Sequence, residues 1–474
     1  MTADFSQPPS LKHYFWLFVA VAIFHFIGTW SLPLIDRDEP RFAEASREML
    51  ERQDFVVPYL NNEYRFDKPP LTYWLQSSAY RVFGENEAAA RLPSVLAAAA
   101  IAVIVLAWGT RLKDAALGWR AAVIFTLSLQ VALHAKAAVA DMLMVLFVVL
   151  AAWAGWEMTR REKDHFHWWA VFVGALALGF LAKGPIAWLP IIPVAMRLRG
   201  GRTVLMFVCG ILLMLLLVSF WGIPALERTN GEFFKVGIGK HVVGRSVSAM
   251  EGHGAKNLAG YVATMPFYFL TIFASFAPWS WFLPRLFRQR KPLWQDPDQR
   301  YLLLQALLFF VVFSLVKTKL PHYTLPAFPM LALLIAGVVT GEQVRKFGLR
   351  MGGFFLILSI LVFPFAARLF PAPSLAEQSA AVLKPEMEFA STEFVEPSLI
   401  WSFRKTVRGF HFKVDPKKAA KWMNKRGPRF YILPTDKVSE AFPSVDPRWK
   451  VFRHRGLNFA KFDPVDLTML VKTE

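Results

Sequence analysis

Cysteine is all but missing from this 474-residue chain: Cys209 stands alone, within the apolar run 204–221. A single thiol builds neither a disulfide framework nor a thiolate metal site within one chain, and it leaves the redox compartment unread. Charge is scarce as well. Asp, Glu, Lys and Arg make up 19% of the chain, with 35 acids against 54 bases, whereas soluble domains average about 25%. No fixed-period repeat and no low-complexity linker is present, which sets aside repeat arrays and tethered modules. A nucleotide loop is lacking too: Gly237-Ile238-Gly239-Lys240 has neither a strand before it nor a Ser or Thr after it, so no nucleotide cofactor is expected. The apolar stretch from Tyr14 to Leu34 has no small-residue cleavage signal before Pro33. It reads as a retained helix rather than a signal peptide.

What the chain does have is apolar mass. Hydrophobic residues make up 55%, with 17 Trp, 44 Phe and a mean hydropathy of +0.36, the composition of an integral membrane protein. The net charge of +19 then belongs to cytoplasmic loops and anionic lipid rather than to nucleic acid. Stretches of roughly 20 residues, long enough to span a bilayer, start near Tyr14, Leu92, Trp119, Ala140, Trp168, Pro185, Thr203, Tyr261, Tyr301, Pro321 and Met351. About eleven transmembrane helices are expected. With a cytoplasmic N-terminus, every cytoplasmic turn is basic: Arg111, Lys113 and Arg120; Arg160, Arg161 and Lys163; Arg197, Arg199 and Arg202; Arg285, Arg288, Arg290 and Lys291; Arg345, Lys346 and Arg350. That satisfies the positive-inside rule. The outer face then receives loops 35–87 and 222–260, the turns 135–141 and 317–323, and Lys183.

Hydropathy falls after about Leu369. Residues 1–370 are therefore read as the membrane region and 371–474 as a small outer α/β domain. Within it, 389–403 and 429–433 have strand character, and Asp415-Pro416 opens a helix ending near Gly427, with Asp as cap and Pro at the first position.

The densest polar patches sit in the first outer loop, at Asp36-Arg37-Asp38-Glu39-Pro40-Arg41 and Arg65-Phe66-Asp67-Lys68-Pro69-Pro70. Phe42, Ala45, Met49 and Leu50 recur at helical spacing, so an amphipathic helix is expected along the membrane surface. Two readings stand for Asp38 at its start, a helix cap or a functional carboxylate. Asp67-Lys68 reads as a local ion pair or as part of a site, and Lys183 as a snorkelling anchor or a buried cation. His134, Lys136 and Asp141 share one outer turn; Lys317, Lys319, His322 and Tyr323 share another. His241, Arg245, Glu251 and His253 occupy a third outer segment, and their spacing matches no strong zinc pattern. Cations at a membrane boundary suit a lipid phosphate leaving group, and a carboxylate opposite them can accept a proton or hold a cation. Together they point to sugar transfer from a polyprenyl-phosphate donor.

Asp38-Glu39-Pro40-Arg41-Phe42-Ala43-Glu44 with Ser46-Arg47-Glu48-Met49-Leu50, followed by Phe66-Asp67-Lys68-Pro69, resembles the first periplasmic loop of bacterial aminoarabinose lipid A transferases. These are GT-C superfamily enzymes related to the protein O-mannosyltransferases. Asp141, Lys183-Gly184, His241, Pro278-Trp279 and Lys319-Leu320-Pro321-x-Tyr323 extend the likeness. The resemblance implies a GT-C fold, with Asp38 as the key acid at the reaction centre, Glu39 beside it and Asp141 as a second acid. It implies donor-phosphate binding by Arg41, Lys68, Lys183 and Lys319. Asp67 and His241 would flank a divalent metal ion.

Two positions depart from the family pattern: Asp67 where Glu is frequent, and Phe42 where Tyr is frequent. The chain also reads as shorter than typical members by several helices. The expected activity is transfer of a pentose or hexose from an undecaprenyl-phosphate donor to lipid A or another envelope glycolipid, at the periplasmic face of a bacterial inner membrane. A protein acceptor is the alternative within the class. A lipid-linked-sugar translocase is the alternative outside it, but a translocase needs polar sites near mid-membrane.

Overall fold

The computed structural model describes residues 8–160, 166–244 and 258–474. Hydrophobic mass dictates a helical bundle, because inside lipid every backbone polar group has to be satisfied within its own segment. The chain opens with α1 (Leu11–Phe26), α2 (Asp38–Arg52), α3 (Leu71–Phe83), α4 (Glu87–Leu112), α5 (Ala115–Thr126), α6 (Leu129–Ala135), α7 (Asp141–Met158) and α8 (Phe166–Lys183). Six helices among the described residues are long and apolar enough to cross a membrane: α4, α7, α8, Gly201–Arg228, Pro297–Leu315 and Gly341–Ala367. Two bent pairs raise this to eight, α5 with α6 at 66° and Ala259–Ser275 with Trp279–Arg288 at 112°.

All eleven expected apolar segments coincide with helix, but three of them are short: α1, Pro185–Ala195 and Pro321–Ala336. Proline accounts for much of the difference. Pro185, Pro190 and Pro193 interrupt one run and Pro321, Pro326 and Pro329 another, each removing an amide donor and clashing with the preceding turn.

Small residues let the bundle pack closely. A Cβ on Gly109 of α4 would meet Gly118 Cα at 2.6 Å, so the two glycines allow α4 and α5 to approach backbone to backbone. Trp108, Trp156 and Tyr301 fill the far end of the core, and Tyr301 Oη donates to the Ala152 carbonyl at 2.7 Å.

The C-terminal residues form a five-stranded sheet in the order β4-β3-β5-β7-β6. A two-stranded hairpin in the first loop, β1 (Tyr59–Leu60) and β2 (Glu63–Tyr64), precedes it. The sheet strands are β3 (Glu388–Ser391), β4 (His411–Lys413), β5 (Arg429–Pro434), β6 (Lys450–Asn458) and β7 (Asp463–Lys472). β3 pairs in parallel with β4 and β5, while β7 runs antiparallel to β5 and β6. Alternation sends Phe389, Phe430 and Met469 to one buried face and Ala390, Tyr431 and Leu470 to the other, so both faces are covered. Asp415 caps the helix Pro416–Met423 by accepting from the Lys417 amide, as its sequence implied.

The strand expected over 389–403 is half right. It stops at Ser391, and Pro397–Phe403 is a helix, started by proline at its first turn. That helix lies against α2, and α2 in turn packs on α3. Asp38 is not the cap of α2: it is the first helical residue, Arg37 holds the cap position, and no side chain caps the helix.

Candidate active site

The polar residues of the first loop, the turn before α7, the end of α8 and the turn after Pro297–Leu315 converge on one cavity of about 350 Å³. Asp38, Arg41, Arg65, Asp67, Lys68, Asp141, Lys183, His322 and Tyr323 line it. The start of α2 delivers Asp38 and Arg41 on successive helical turns, with Arg41 Nη1 3.8 Å from Asp38 Oδ1. Asp38 keeps 69% of its side-chain surface exposed, and its position in the first turn of α2 suits an anionic group.

Arg65 is the buried counterpart. Its guanidinium donates through Nε to Tyr73 Oη at 3.0 Å, pairs with Asp67 Oδ2 at 3.1 Å, and lies 5.3 Å from the centre of the Phe42 ring. Burial pushes the Tyr73 hydroxyl up from its ordinary value, so it stays protonated. Asp67 thereby pairs with Arg65, while Lys68 Nζ donates to the Asp67 carbonyl at 3.0 Å.

On the opposite wall, Lys183 Nζ donates to Asp141 Oδ1 at 2.5 Å, and His322 Nε2 approaches the same oxygen at 3.9 Å. His134 stands beside them, its ring centre 5.1 Å from that of His322 and its Nδ1 3.1 Å from the Gln130 carbonyl. When Nδ1 donates there, Nε2 is left as a lone-pair donor. One ligand atom each from His134, Asp141 and His322 lie within 4.8 Å of one another. Two imidazoles and a carboxylate are a donor set suited to a borderline ion such as zinc. The Lys183 ammonium, however, already neutralises the carboxylate they would share.

Two expectations need correction. Glu39 does not line the cavity: both its oxygens accept from Arg91, at 2.9 and 2.8 Å, and it also accepts from the amides of Ile35 and Ala138. It is a buried strut tying the first loop to α4 and to the turn before α7. Lys319 does not line the cavity either. It donates to the carbonyls of Phe313 and Ser314 at 2.9 and 2.6 Å, closing the end of the helix Pro297–Leu315, where orphan carbonyls attract a cation. The expected metal pair of Asp67 and His241 falls partly outside the described residues: Asp67 pairs with Arg65, and the His241 side chain is not among them, nor are Arg245, Glu251 and His253.

Sequence reasoning had grouped His134 and His322 only with their own turns and had given Arg65 no role. Local spacing holds no signal for the approach of His134 to His322, which come from distant segments. Beside the cavity runs a second, apolar cleft of about 260 Å³, walled by Phe180, Leu215, Val218, Trp221 and Phe233. It shares Asp67, Lys68, Lys183 and Pro185 with the polar cavity, so a molecule with a charged head and an apolar tail can occupy both.

Comparison with known proteins finds glycosyltransferases among those the chain is similar to. A family model described as dolichyl-phosphate-mannose-protein mannosyltransferase matches residues 67–223. An uncharacterized protein of Aquifex aeolicus is 28% identical over 76% of this chain and 72% of its own length. The undecaprenyl phosphate-alpha-4-amino-4-deoxy-L-arabinose arabinosyl transferase 2 of Sodalis glossinidius is 29% identical over 69% of the chain. That alignment covers 60% of the Sodalis protein. The crystal structure of ArnT from Cupriavidus metallidurans bound to undecaprenyl phosphate superposes with a TM-score of 0.72 at 18% identity. This superposition covers 97% of this chain and 98% of that one. The fold is that of the GT-C glycosyltransferases, as the first-loop motif implied.

Proposed function

We propose that this chain, with the fold of the GT-C glycosyltransferases and a first loop resembling that of the aminoarabinose transferases, transfers a pentose or hexose from an undecaprenyl-phosphate carrier to lipid A or another envelope glycolipid. The observation that carries this reading is the junction of the two cavities at Asp67, Lys68 and Lys183. A prenyl chain fits the apolar cleft, and its phosphate then meets Lys68, Lys183 and Arg41. Arg41 and Lys68 would stabilise the charge that develops on the phosphate as the bond from the sugar's anomeric carbon to the phosphate oxygen breaks and its electron pair leaves with the phosphate. Asp141 would hold Lys183 in place for the same task.

Asp38 is the exposed carboxylate opposite these cations. For a hydroxyl acceptor it takes the proton as the acceptor oxygen bonds to the anomeric carbon; for an ionised phosphate acceptor it positions the sugar or acceptor. Basic residues such as Arg160, Arg197 and Arg199 lie at the Met158 end of the bundle. By the positive-inside rule this supports a periplasmic position for the cavity and the C-terminal domain at the inner membrane.

A protein acceptor is the second reading, favoured by the description of the family model over 67–223. A translocase is disfavoured, because the site's polar residues gather at one end of the bundle. Should a divalent ion enter, His134, Asp141 and His322 are the residues to hold it, lending Lewis acidity near the donor phosphate. With Lys183 already on Asp141, that carboxylate is neutralised without such an ion.

Mass spectrometry of envelope lipids and glycoproteins with and without the gene tests the proposal directly. A pentose- or hexose-sized mass lost from a glycolipid supports it, whereas loss confined to glycoproteins selects the protein acceptor. Unchanged profiles, together with no turnover of purified polyprenyl-phosphate sugar, would refute both.

A further inference from the structure

The end of the bundle away from the sugar-transfer cavity holds a larger one, of about 840 Å³, lined by Arg160, Arg197, Arg199 and Arg300 together with one carboxylate, Asp298. Asp141 stands at the first residue of α7 and Met158 at the last, so 18 residues at about 1.5 Å each put the two cavities roughly 27 Å apart, near opposite membrane faces.

Asp298, the one carboxylate among the described lining residues, is already satisfied. Asp298 Oδ1 accepts from both terminal nitrogens of Arg197 at 3.1 Å and from Trp156 Nε1 at 2.8 Å. Aromatic rings brace two of the guanidiniums, Arg197 over Tyr301 at 5.1 Å and Arg160 over Trp156 at 4.5 Å. Among the described residues no side chain pairs with Arg199 or Arg300. Arg199 and Arg300 thus bring positive charge to an open space between helices.

A basic turn that only fixes orientation needs no cavity. Here the arginines surround a volume within the range of ligand sites, and its lip is apolar: Met196 and Trp294 are 67% and 51% exposed. Planar guanidiniums match phosphate oxygens bidentately, and an exposed tryptophan suits the headgroup level of a bilayer. A soluble anion would gain nothing from that lip, whereas a lipid would lay its first methylenes on it. We propose that this cavity binds the phosphate headgroup of an anionic lipid in the leaflet opposite the sugar-transfer site. This proposal does not depend on which sugar or acceptor the other cavity serves.

Native mass spectrometry of the purified full-length chain, titrated with phosphatidylglycerol, cardiolipin or phosphatidylcholine, tests it. Retained adducts are expected with the two anionic lipids and not with phosphatidylcholine. Arg199→Gln with Arg300→Gln should weaken them about 25-fold, the product of about fivefold for each basic side chain at a lipid surface. Arg199→Lys with Arg300→Lys should recover part of the loss, which separates lost charge from misfolding. Equal adducts with phosphatidylcholine, or anionic adducts unchanged in the double Gln variant, would overturn the proposal. So would displacement of the anionic lipid by millimolar inorganic phosphate, which would assign the cavity to a soluble anion.

Discussion

Two clusters of charge lie along α2, one toward the polar cavity and one toward the C-terminal domain. Toward the cavity, Asp38 and Arg41 stand 3.8 Å apart with 69% and 26% of their side chains exposed. Toward the domain, Glu44, Glu48, Arg47 and Arg404 are at most 3% exposed. Arg404 bonds to Glu44 and, at 2.7 Å, to Glu51. Arg47 pairs with Glu44 at 2.7 Å, lies 4.0 Å from the centre of the Trp401 ring and donates to the Trp401 carbonyl. The same residue types on one helix therefore do different work. Hydrated, loosely paired charges can regroup around an incoming phosphate; charges saturated by fixed partners cannot, and they lock α2 to the domain above it.

The comparison breaks most visibly if charges are removed from the cavity side. Asp38→Asn and Lys68→Ala should each lower turnover by about 10²–10⁴-fold with thermal denaturation in detergent unchanged. Full turnover by both variants would remove the site. Arg404→Ala should do the reverse. It leaves Glu44 and Glu48 buried against each other, at a cost of about 3–5 kcal/mol, seen as a lowered denaturation midpoint, while turnover per folded molecule falls far less than in Asp38→Asn.

A finer probe sits where the clusters meet. Asp36 accepts from the Ser398 amide at 2.9 Å, and burial pushes its carboxyl up to about 7. Between about pH 4 and 7 the folded chain then holds a proton that the unfolded chain has lost, so this group's stabilisation is full below that range and is lost as pH rises through 7. The denaturation midpoint should fall over that range in the wild type, and Asp36→Asn should flatten this part of the profile. An identical slope in the variant would clear Asp36 of the effect. The smallest change is expected from chelation. Thorough removal of divalent ions should alter turnover less than about twofold, since Lys183 already neutralises Asp141; a larger loss restored by zinc would put an ion at His134, Asp141 and His322.

How much of this was legible in the sequence differs along the chain. The apolar segments were readable because hydropathy is local, and Asp415-Pro416 was readable because a cap needs only its own next residues. The first-loop motif marked the right loop yet mixed two jobs. Asp38 and Arg41 face the cavity, Glu44, Arg47 and Glu48 face the domain, and Glu39 joins Arg91. Helical period separates those faces, but it does not say what covers each one. Lys319 sat in the expected motif and still turned away, because the open carbonyls at the end of Pro297–Leu315 lay within its reach.

By itself the sequence determined that the chain lives in lipid, that its polar chemistry gathers at one end, and that its first loop resembles the GT-C kind. Composition and short motifs suffice for that, since each acts over a few residues. Tertiary structure decided which charges are free to meet a substrate. Asp141 meets Lys183 and His322, Arg65 meets Tyr73, and Glu44 meets Arg404 across up to 360 residues of chain. Whether a buried charge works as a strut or as a reagent depends on how fully its partners satisfy it, and those partners are chosen only when the helices pack.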